Sequence, residues 1–438
     1  QGFAYDPNDL TTLFQDAAGT VPVTGAGQPV GLVLDKSKGL TLSPELFNNE
    51  TVLLSAGVTY LGDSTYRIVS SSALQSLEVR GIPLGVCLLD YTVLSSASGS
   101  VRIDAQNYPY QHPVVGLGNK KHLLRNSRGN IAFVRDAVPT DVIIRINSIK
   151  QVLGNHAYQA VSASCPVLQQ PPILGAELLA NGSFDTATGW TTYLATLTYA
   201  NSRALITSTG SGGAELSRPA VGLAGKTVEV RCKFFNRSGG ARATLLLWDA
   251  SKSKGASKSS TASTGEISFV YAVPADFSGA VICKLEDAVT GSSVEFDAVS
   301  IKEITDYRTG QNYLAFDGVD DFLQTANIDF TATDKVSLFA GVRKLSDAAT
   351  AVVAELGTDS ITVNGTFGLF APAGTGLTKF QFLSRGASGT NYARALNAIY
   401  NAPLSAVLRG IGSIADQNSE LCVNGVFIEK SPTGLTST

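Results

Sequence analysis

The sequence predicts an all-β chain of three β-sandwich domains of jelly-roll type, one of them discontinuous. Three observations carry that expectation. Gly occupies 43 of 438 positions, Ser, Thr and Val are abundant, and only 16% of residues are charged, a composition suited to short strands joined by many turns. Apolar residues alternate through Val228, Val230, Cys232 and Phe234, through Ile267, Phe269, Tyr271 and Val273, and through Val281, Cys283 and Leu285, which is the period of a half-buried strand. Two stretches of the chain also repeat each other, as duplicated domains do.

Taken in order, Asp6 as cap and Pro7 at a first helical position predict a short helix with Leu10, Leu13 and Phe14 on one face, ended by Ala17-Ala18-Gly19-Thr20. The segment VPVTGAGQPVGLVLDKSKG then reads as strand and turn. The first repeat opens Pro44-Glu45-Leu46-Phe47-Asn48-Asn49 and the second Ala176-Glu177-Leu178-Leu179-Ala180-Asn181. Near their ends Asp136-Ala137-Val138 matches Asp287-Ala288-Val289, and Ser148-Ile149-Lys150 matches Ser300-Ile301-Lys302. Residues 312–323 read as a strand, a tight acidic turn and a second strand, with Asp-Gly and Asp-Asp in the turn. Tyr313, Phe316 and Phe322 are expected to pack against the first forty residues. Beyond residue 330 strand-length pieces follow between Gly, Asp and Asn turns, and Asn424-Gly425 between LCV and VFI is a hairpin signal. The chain stops at SPTGLTST before the last strands of such a sandwich are expected; a disordered or cut ending, or completion of the sheet by another chain, accounts for it.

The opening YDPNDLTTLFQDAAGTVPVT with GQPVGLVLDKS, the piece Gly154-Asn155-His156-Ala157-Tyr158-Gln159 with Cys165-Pro166-Val167-Leu168, and the stretch 313–323 together resemble a concanavalin A-like (laminin-G-like) domain of bacteriophage and prophage virion structural proteins. The resemblance implies that residues 1–38, 154–173 and 305–438 form one discontinuous sandwich. Two jelly rolls would be inserted into it, a degenerate first copy at 39–153 and a second at 174–304. The start of the second, GAELLANGSFDTATGW, resembles carbohydrate-binding-module-like jelly rolls, in which E-L-L-x-N-G-x-F leads to a Trp. Glu50, Val52 and Val58 stand at the Gly182, Phe184 and Trp190 positions in the first copy, so a ligand role tied to those residues belongs to the second.

Lys and Arg number 33 against 36 Asp and Glu, a net charge of -3 with no block of one sign, which argues against a nucleic-acid partner. The run Lys252 to Lys258 is read as a solvated loop. Cys87, Cys165, Cys232, Cys283 and Cys422 are far apart and form no C-x-x-C pair, against a zinc site or a disulfide framework; buried thiols are expected at Cys232 and Cys283. No run approaches the roughly 18 apolar residues of a membrane span, and no signal-peptide pattern opens the chain. The sequence begins at Gln1 and contains no Met, as expected of an internal portion of a longer chain or one resolved incompletely.

Chemistry is sparse. The three histidines, His112, His122 and His156, fall in no nucleophile or metalloprotease motif, and the Gly-rich stretch 210–213 lacks the lysine and the strand-to-helix context of a phosphate cradle. Asp317, Asp320 and Asp321 form the one dense acidic cluster, read as turn-forming residues, with calcium ligation as the weaker alternative. Sugars stack on exposed aromatic rings, which makes Trp190, Trp248 and Tyr271 the carbohydrate-binding candidates in the second copy and Tyr108 and Tyr110 in the first, each Trp weighed against plain core packing. The whole resembles a non-enzymatic virion component of tail, baseplate or collar, a scaffold and a host-surface glycan adhesin. It would need no cofactor or metal and would be homo-oligomeric with other virion proteins as partners, made in the bacterial cytoplasm without membrane insertion. Alternatives are a purely structural head- or tail-decorating protein and a glycan-degrading spike module.

Overall fold

The computed structural model describes residues 2–431 apart from 72–73, 106–111, 187, 250, 252, 308–309, 331–334, 358–362, 364, 375–376, 387–388, 395–399, 403 and 414–417, and for side chains apart from 386–399. The chain is all-β and built of sandwich domains. It divides into two compact units, Gln1–Pro171 with Arg308–Asp329, and Pro172–Tyr307 with Phe330–Thr438.

In the first unit two strands of 20 and 22 residues, Gly85–Asp104 and Asn130–Gln151, pair along their length. Register shifts at several points, among them Arg135/Ala137 and Ile146/Ser148, bend the ribbon as bulges do. One continuous eight-stranded sheet therefore closes over its own core, in which Tyr66, Tyr91, Phe133 and Leu77 are buried together. Gly99 sits where the ribbon crowds most, since a Cβ there would lie 2.3 Å from the Pro139 carbonyl oxygen.

The separated sequence pieces meet in the same unit. Leu13–Phe14, Leu32–Val33, Ala157–Tyr158 and Gln324–Thr325 form one small sheet in that order, and Val167–Gln169 pairs with Tyr313–Ala315. The expected helix is a single 3-10 turn at Leu10–Thr12, capped by Asp9 and not by Asp6. So short a helix gains too little to repay its nucleation, and Leu13 and Phe14 pair as a strand instead. The 312–323 stretch is likewise no hairpin: Tyr313–Ala315 pairs with Val167–Gln169, and the strand that follows the turn, Gln324–Thr325, pairs with Ala157–Tyr158. Leu314 and Leu323 pack beside Leu13, Val23, Val30 and Val33, while Tyr313, Phe316 and Phe322 stay 44%, 50% and 48% exposed. Alternation along Tyr313–Ala315 sends Leu314 inward and the Tyr313 ring outward, and Phe316 and Phe322 lie beyond the strand, on the exposed turn.

What ties these pieces is a buried polar knot. The Asp35 carboxylate, wholly buried, accepts hydrogen bonds from the amides of Ala4 (2.8 Å), Ser37 (2.8 Å) and Asn155 (2.7 Å) and from the Ser37 hydroxyl (2.8 Å). Burial works to raise its pKa, but the three amides and the hydroxyl together hold it below the usual carboxylate range. His156 Nδ1 accepts from the Asp35 amide at 2.9 Å, so its Nε2 carries the proton donated to the Val152 carbonyl at 3.0 Å.

In the second unit, residues 172–307 form two facing sheets. Cross-strand pairing orders one as Ala195–Ala200, Arg203–Ser208, Ser293–Tyr307, Thr227–Phe235 and Gly265–Ala272, with Pro172–Glu177 on the Ser293–Tyr307 strand. The other runs Thr191–Tyr193, Gly213–Ala220, Gly279–Glu286, Arg242–Asp249 and Gly255–Ser260. The alternating residues read from sequence do point inward: Val228, Val230, Cys232, Phe234, Ile267, Val281, Cys283 and Leu285 are buried in one core. All five cysteines are free and buried. Of the Lys252–Lys258 run, residues from Gly255 onward are edge strand and not loop.

The two repeats share a clasp that explains why the matched residues match. Glu45 Oε1 accepts from the amides of Ile149 (2.7 Å) and Phe47 (3.0 Å), and its Oε2 from the Ser148 hydroxyl (2.6 Å). Glu177 does the same with the amides of Ile301 (2.8 Å) and Leu179 (3.0 Å) and the Ser300 hydroxyl (2.5 Å). Each Glu pins the opening segment of its module to the closing strand.

Residues after Phe330 supply two four-stranded sheets, one of Lys335–Lys344, Leu404–Ser413, Asn418–Val423 and Val426–Lys430, the other of Val352–Leu356, Thr366–Phe370, Gln381–Gly386 and Gly389–Arg394. Asn424 and Gly425 both take positive φ, 51° and 79°, the turn that the sequence signal called for. Gly410 and Gly412 leave room for rings from the facing sheet, since a Cβ at Gly410 would lie 2.1 Å from the Phe382 ring. Lys344 is buried, pairs with Asp347 at 2.6 Å and donates to the Thr378 and Tyr400 carbonyls.

Candidate functional site

The five-stranded sheet of the second unit turns Ala214, Leu216, Ala243, Leu245, Leu247, Val281, Cys283 and Leu285 into the core. Period two then places their neighbours on the outer face, and strand register aligns them in rows. One row runs Tyr193, Glu215, Lys284, Thr244, Ser259; the next Thr191, Ser217, Ile282, Leu246, Ser257; a third brings Ala280, Trp248 and Gly255 side by side.

One end of this face is apolar, from Ile282 and Leu246 to Trp248. The rest of the face is polar and already paired: Lys284 with Glu215 at 3.3 Å, Arg242 with Glu286 at 3.3 Å, the Thr244 hydroxyl with Ser259 at 2.9 Å and Glu286 at 3.1 Å, and Thr191 with Ser217 at 2.9 Å. Gly255 makes room for the indole, for a Cβ there would lie 2.9 Å from Trp248 Cγ. Tyr193 stands 62% exposed at the open end of the first row. An apolar strip bordered by oriented donors and acceptors matches the alternating faces and hydroxyls of a sugar.

The three candidates named from sequence do not converge. Trp190 is 7% exposed, donates its Nε1 hydrogen to the Asn181 carbonyl at 2.9 Å and packs against Phe184; its ring belongs to the core and offers no face to a ligand. Tyr271 lies on the other sheet, opposite Val228, half-buried against the core with Phe277 at its edge. Trp248 alone reaches the outer face, half-buried, with its Nε1 unpartnered among the described residues. Tyr108 and Tyr110 lie outside the described residues. Sequence reasoning missed Tyr193, Ile282 and Leu246. The alternation of RATLLLWD and GAVICKLE contained the last two, since each strand has an outer face as well as an inner one.

The histidines are structural in placement. His156 serves the Asp35 knot, and burial pushes its pKa below the usual value. His112 and His122 meet edge to face at 5.9 Å, and burial, aided by His122, pushes His112 down to about 4. His122 Nε2 lies 3.2 Å from the Tyr91 hydroxyl. Asp317, Asp320 and Asp321 bring carboxylate oxygens within 4.8 Å of one another, the one such acidic, His or Cys group among the described residues. Each already accepts a protein hydrogen bond. Asp317 Oδ1 takes the Val319 amide at 2.8 Å and, more weakly, those of Asp320 and Asp321; Asp321 Oδ2 takes the Asp317 amide at 2.8 Å; Asp320 Oδ2 takes the Ser164 hydroxyl at 2.7 Å. Those bonds, the Val319 amide first, hold Asp317 below the usual carboxylate range. The arrangement is that of a self-capped turn.

No family model matches the chain, and no curated protein matches it. Solved structures that resemble it include a CBM4 carbohydrate-binding module, 18% identical over 28% of this chain and 97% of its own at a TM-score of 0.24. The N-terminal CBM22 tandem of Paenibacillus barcinonensis Xyn10C is 13% identical over 60% and 96% at 0.25. A carbohydrate-binding module of the β-sandwich superfamily described for promiscuous specificity is 12% identical over 58% and 99% at 0.21. Likenesses this slight carry no weight in assigning a ligand. No helix among the described residues is long and apolar enough to cross a membrane.

Proposed function

We propose that the chain is a non-enzymatic bacteriophage virion component of the tail, baseplate or collar, a scaffold that also holds host-surface glycans on the outer face of the five-stranded sheet. The observation that carries the glycan part is the row register, which groups Ile282, Leu246 and Trp248 as an apolar strip beside paired polar rows. The virion part is supported by the sequence resemblance of the first forty residues and of the 154–168 piece. The face is shallow, so each contact is weak and affinity comes from many copies acting at once. A stacking contact of about 1 kcal/mol beyond area burial changes single-site affinity only about fivefold, but multivalent display multiplies it.

The test is retention of folded, multimerised protein on a bacterial glycan array and adsorption to whole host cells. The wild type should bind, and the Ile282→Asp, Tyr193→Ala double variant should lose at least about tenfold. Negative results in both formats contradict the reading. The structural-decoration alternative is favoured by the burial of Trp190; it predicts tight binding to particles and none to cells.

A further inference from the structure

The sheet of Lys335–Lys344, Leu404–Ser413, Asn418–Val423 and Val426–Lys430 buries Leu338, Leu408 and Leu421 on its inner face. Its outer face therefore carries the cross-strand row Phe339, Arg409, Cys422, Phe427, with Val407 opposite Gly341 one step along. Phe339 is 70%, Val407 56% and Phe427 55% exposed. A Cβ at Gly341 would meet nothing within 4 Å, so an open notch separates Phe339 from Arg343. The cations on this face are loosely held. Arg343, half exposed, reaches Glu266 only at 3.6 Å, and Arg409 spends one Nη2 hydrogen on the Cys422 sulfur at 3.0 Å while its Nε, itself buried, finds no partner among the described residues. Exposed apolar side chains grouped on one sheet face in this way mark an interaction surface.

The other unit has the opposite feature. The turn from Phe316 to Phe322 exposes Val319 by 86% and the two rings by about half, around the three clustered carboxylates of Asp317, Asp320 and Asp321. No Lys or Arg occurs between Gly310 and Asp334, so the sequence supplies these charges with no neighbouring cation. One surface is apolar and cationic, the other apolar and anionic.

We infer that copies of this chain associate head to tail, the 316–322 turn of one copy seated on the Phe339–Val407–Phe427 face of the next. Val319 fills the Gly341 notch and the aspartates face Arg343 and Arg409. Because the two surfaces differ, the contact is heterologous and repeats into rings or filaments instead of stopping at a two-fold dimer. Coulombic attraction supplies part of it, so salt weakens it.

Sedimentation velocity across a wide concentration range, with Val319→Asp and Phe339→Asp variants, tests this. Both residues are largely exposed, so each variant keeps its fold, which circular dichroism checks. The wild-type chain should form a concentration-dependent series that weakens several-fold on raising NaCl from about 50 to about 500 mM. Each variant alone should be monomeric. Their mixture should form dimers and stop there, because one intact turn then meets one intact face. A wild type that stays monomeric overturns the inference. So does a mixture with no dimer, or assembly that survives either variant, the latter being what face-to-face pairing of two Phe339 surfaces predicts for Val319→Asp.

Discussion

Replacing Asp35 by Asn asks one buried group to release the joints of a chain folded from distant pieces. Asn keeps the shape and one acceptor, so the Ala4 and Ser37 amides can still bond to Oδ1. Oδ2 becomes an NH2 that faces the Asn155 amide, 2.7 Å away in the wild type, and the Ser37 hydroxyl at 2.8 Å. A buried donor left against a donor costs about 2–3 kcal/mol, which in a unit of this size lowers Tm by roughly 5–10 °C. Scanning calorimetry would measure the fall. Hydrogen exchange would locate it, with faster exchange at Asn155 and His156 and unchanged protection along Thr227–Phe235 of the other unit. A Tm within about 1 °C of wild type would refute the reasoning, because residues 1–38 and 154–158 would then not depend on the knot.

Three further outcomes follow from packing and charge. His112, pushed by burial from 6.5 to about 4, binds its proton more readily unfolded than folded. Its stability contribution is therefore complete above pH 6.5 and lost as pH falls toward 4, about 3 kcal/mol in all; His112→Gln should flatten that limb of a pH–urea midpoint curve. Gly410→Ala drives a methyl to 2.1 Å from the Phe382 ring and should destabilise by about 1–3 kcal/mol, read as a lower urea midpoint. Lys344→Met strands the Asp347 carboxylate beside it at a cost of about 3–5 kcal/mol, again read by denaturant, whereas the double variant with Asp347→Leu should recover most of it.

Period two was the most legible signal, and it located the core strands of residues 227–286 directly. The Asn-Gly turn at 424–425 and the paired Glu45 and Glu177 were readable because one backbone conformation or one clasp demands those residues. Leu10 to Phe14 misled because five residues fit a helical face as well as a strand, and only the distant Leu32–Val33 decides between them. The 312–323 stretch misled similarly: alternation and an Asp-Gly turn specify strands but not their partners, which lie more than 140 residues earlier in sequence. The site was half visible. A Trp looks the same in sequence whether it fills a core, as Trp190 does, or crosses a sheet surface above a glycine, as Trp248 does, and the three-residue strand bearing Tyr193 is too short to carry a period.

The presence of two tryptophans in such different places makes the outer face directly measurable. With Trp190 replaced by Phe, Trp248 is the sole indole, and its emission can be followed as purified host surface polysaccharide is added. The account predicts a saturable change in emission that Ile282→Asp abolishes. Emission that stays flat at saturating polysaccharide, or a change that survives Ile282→Asp, would contradict it.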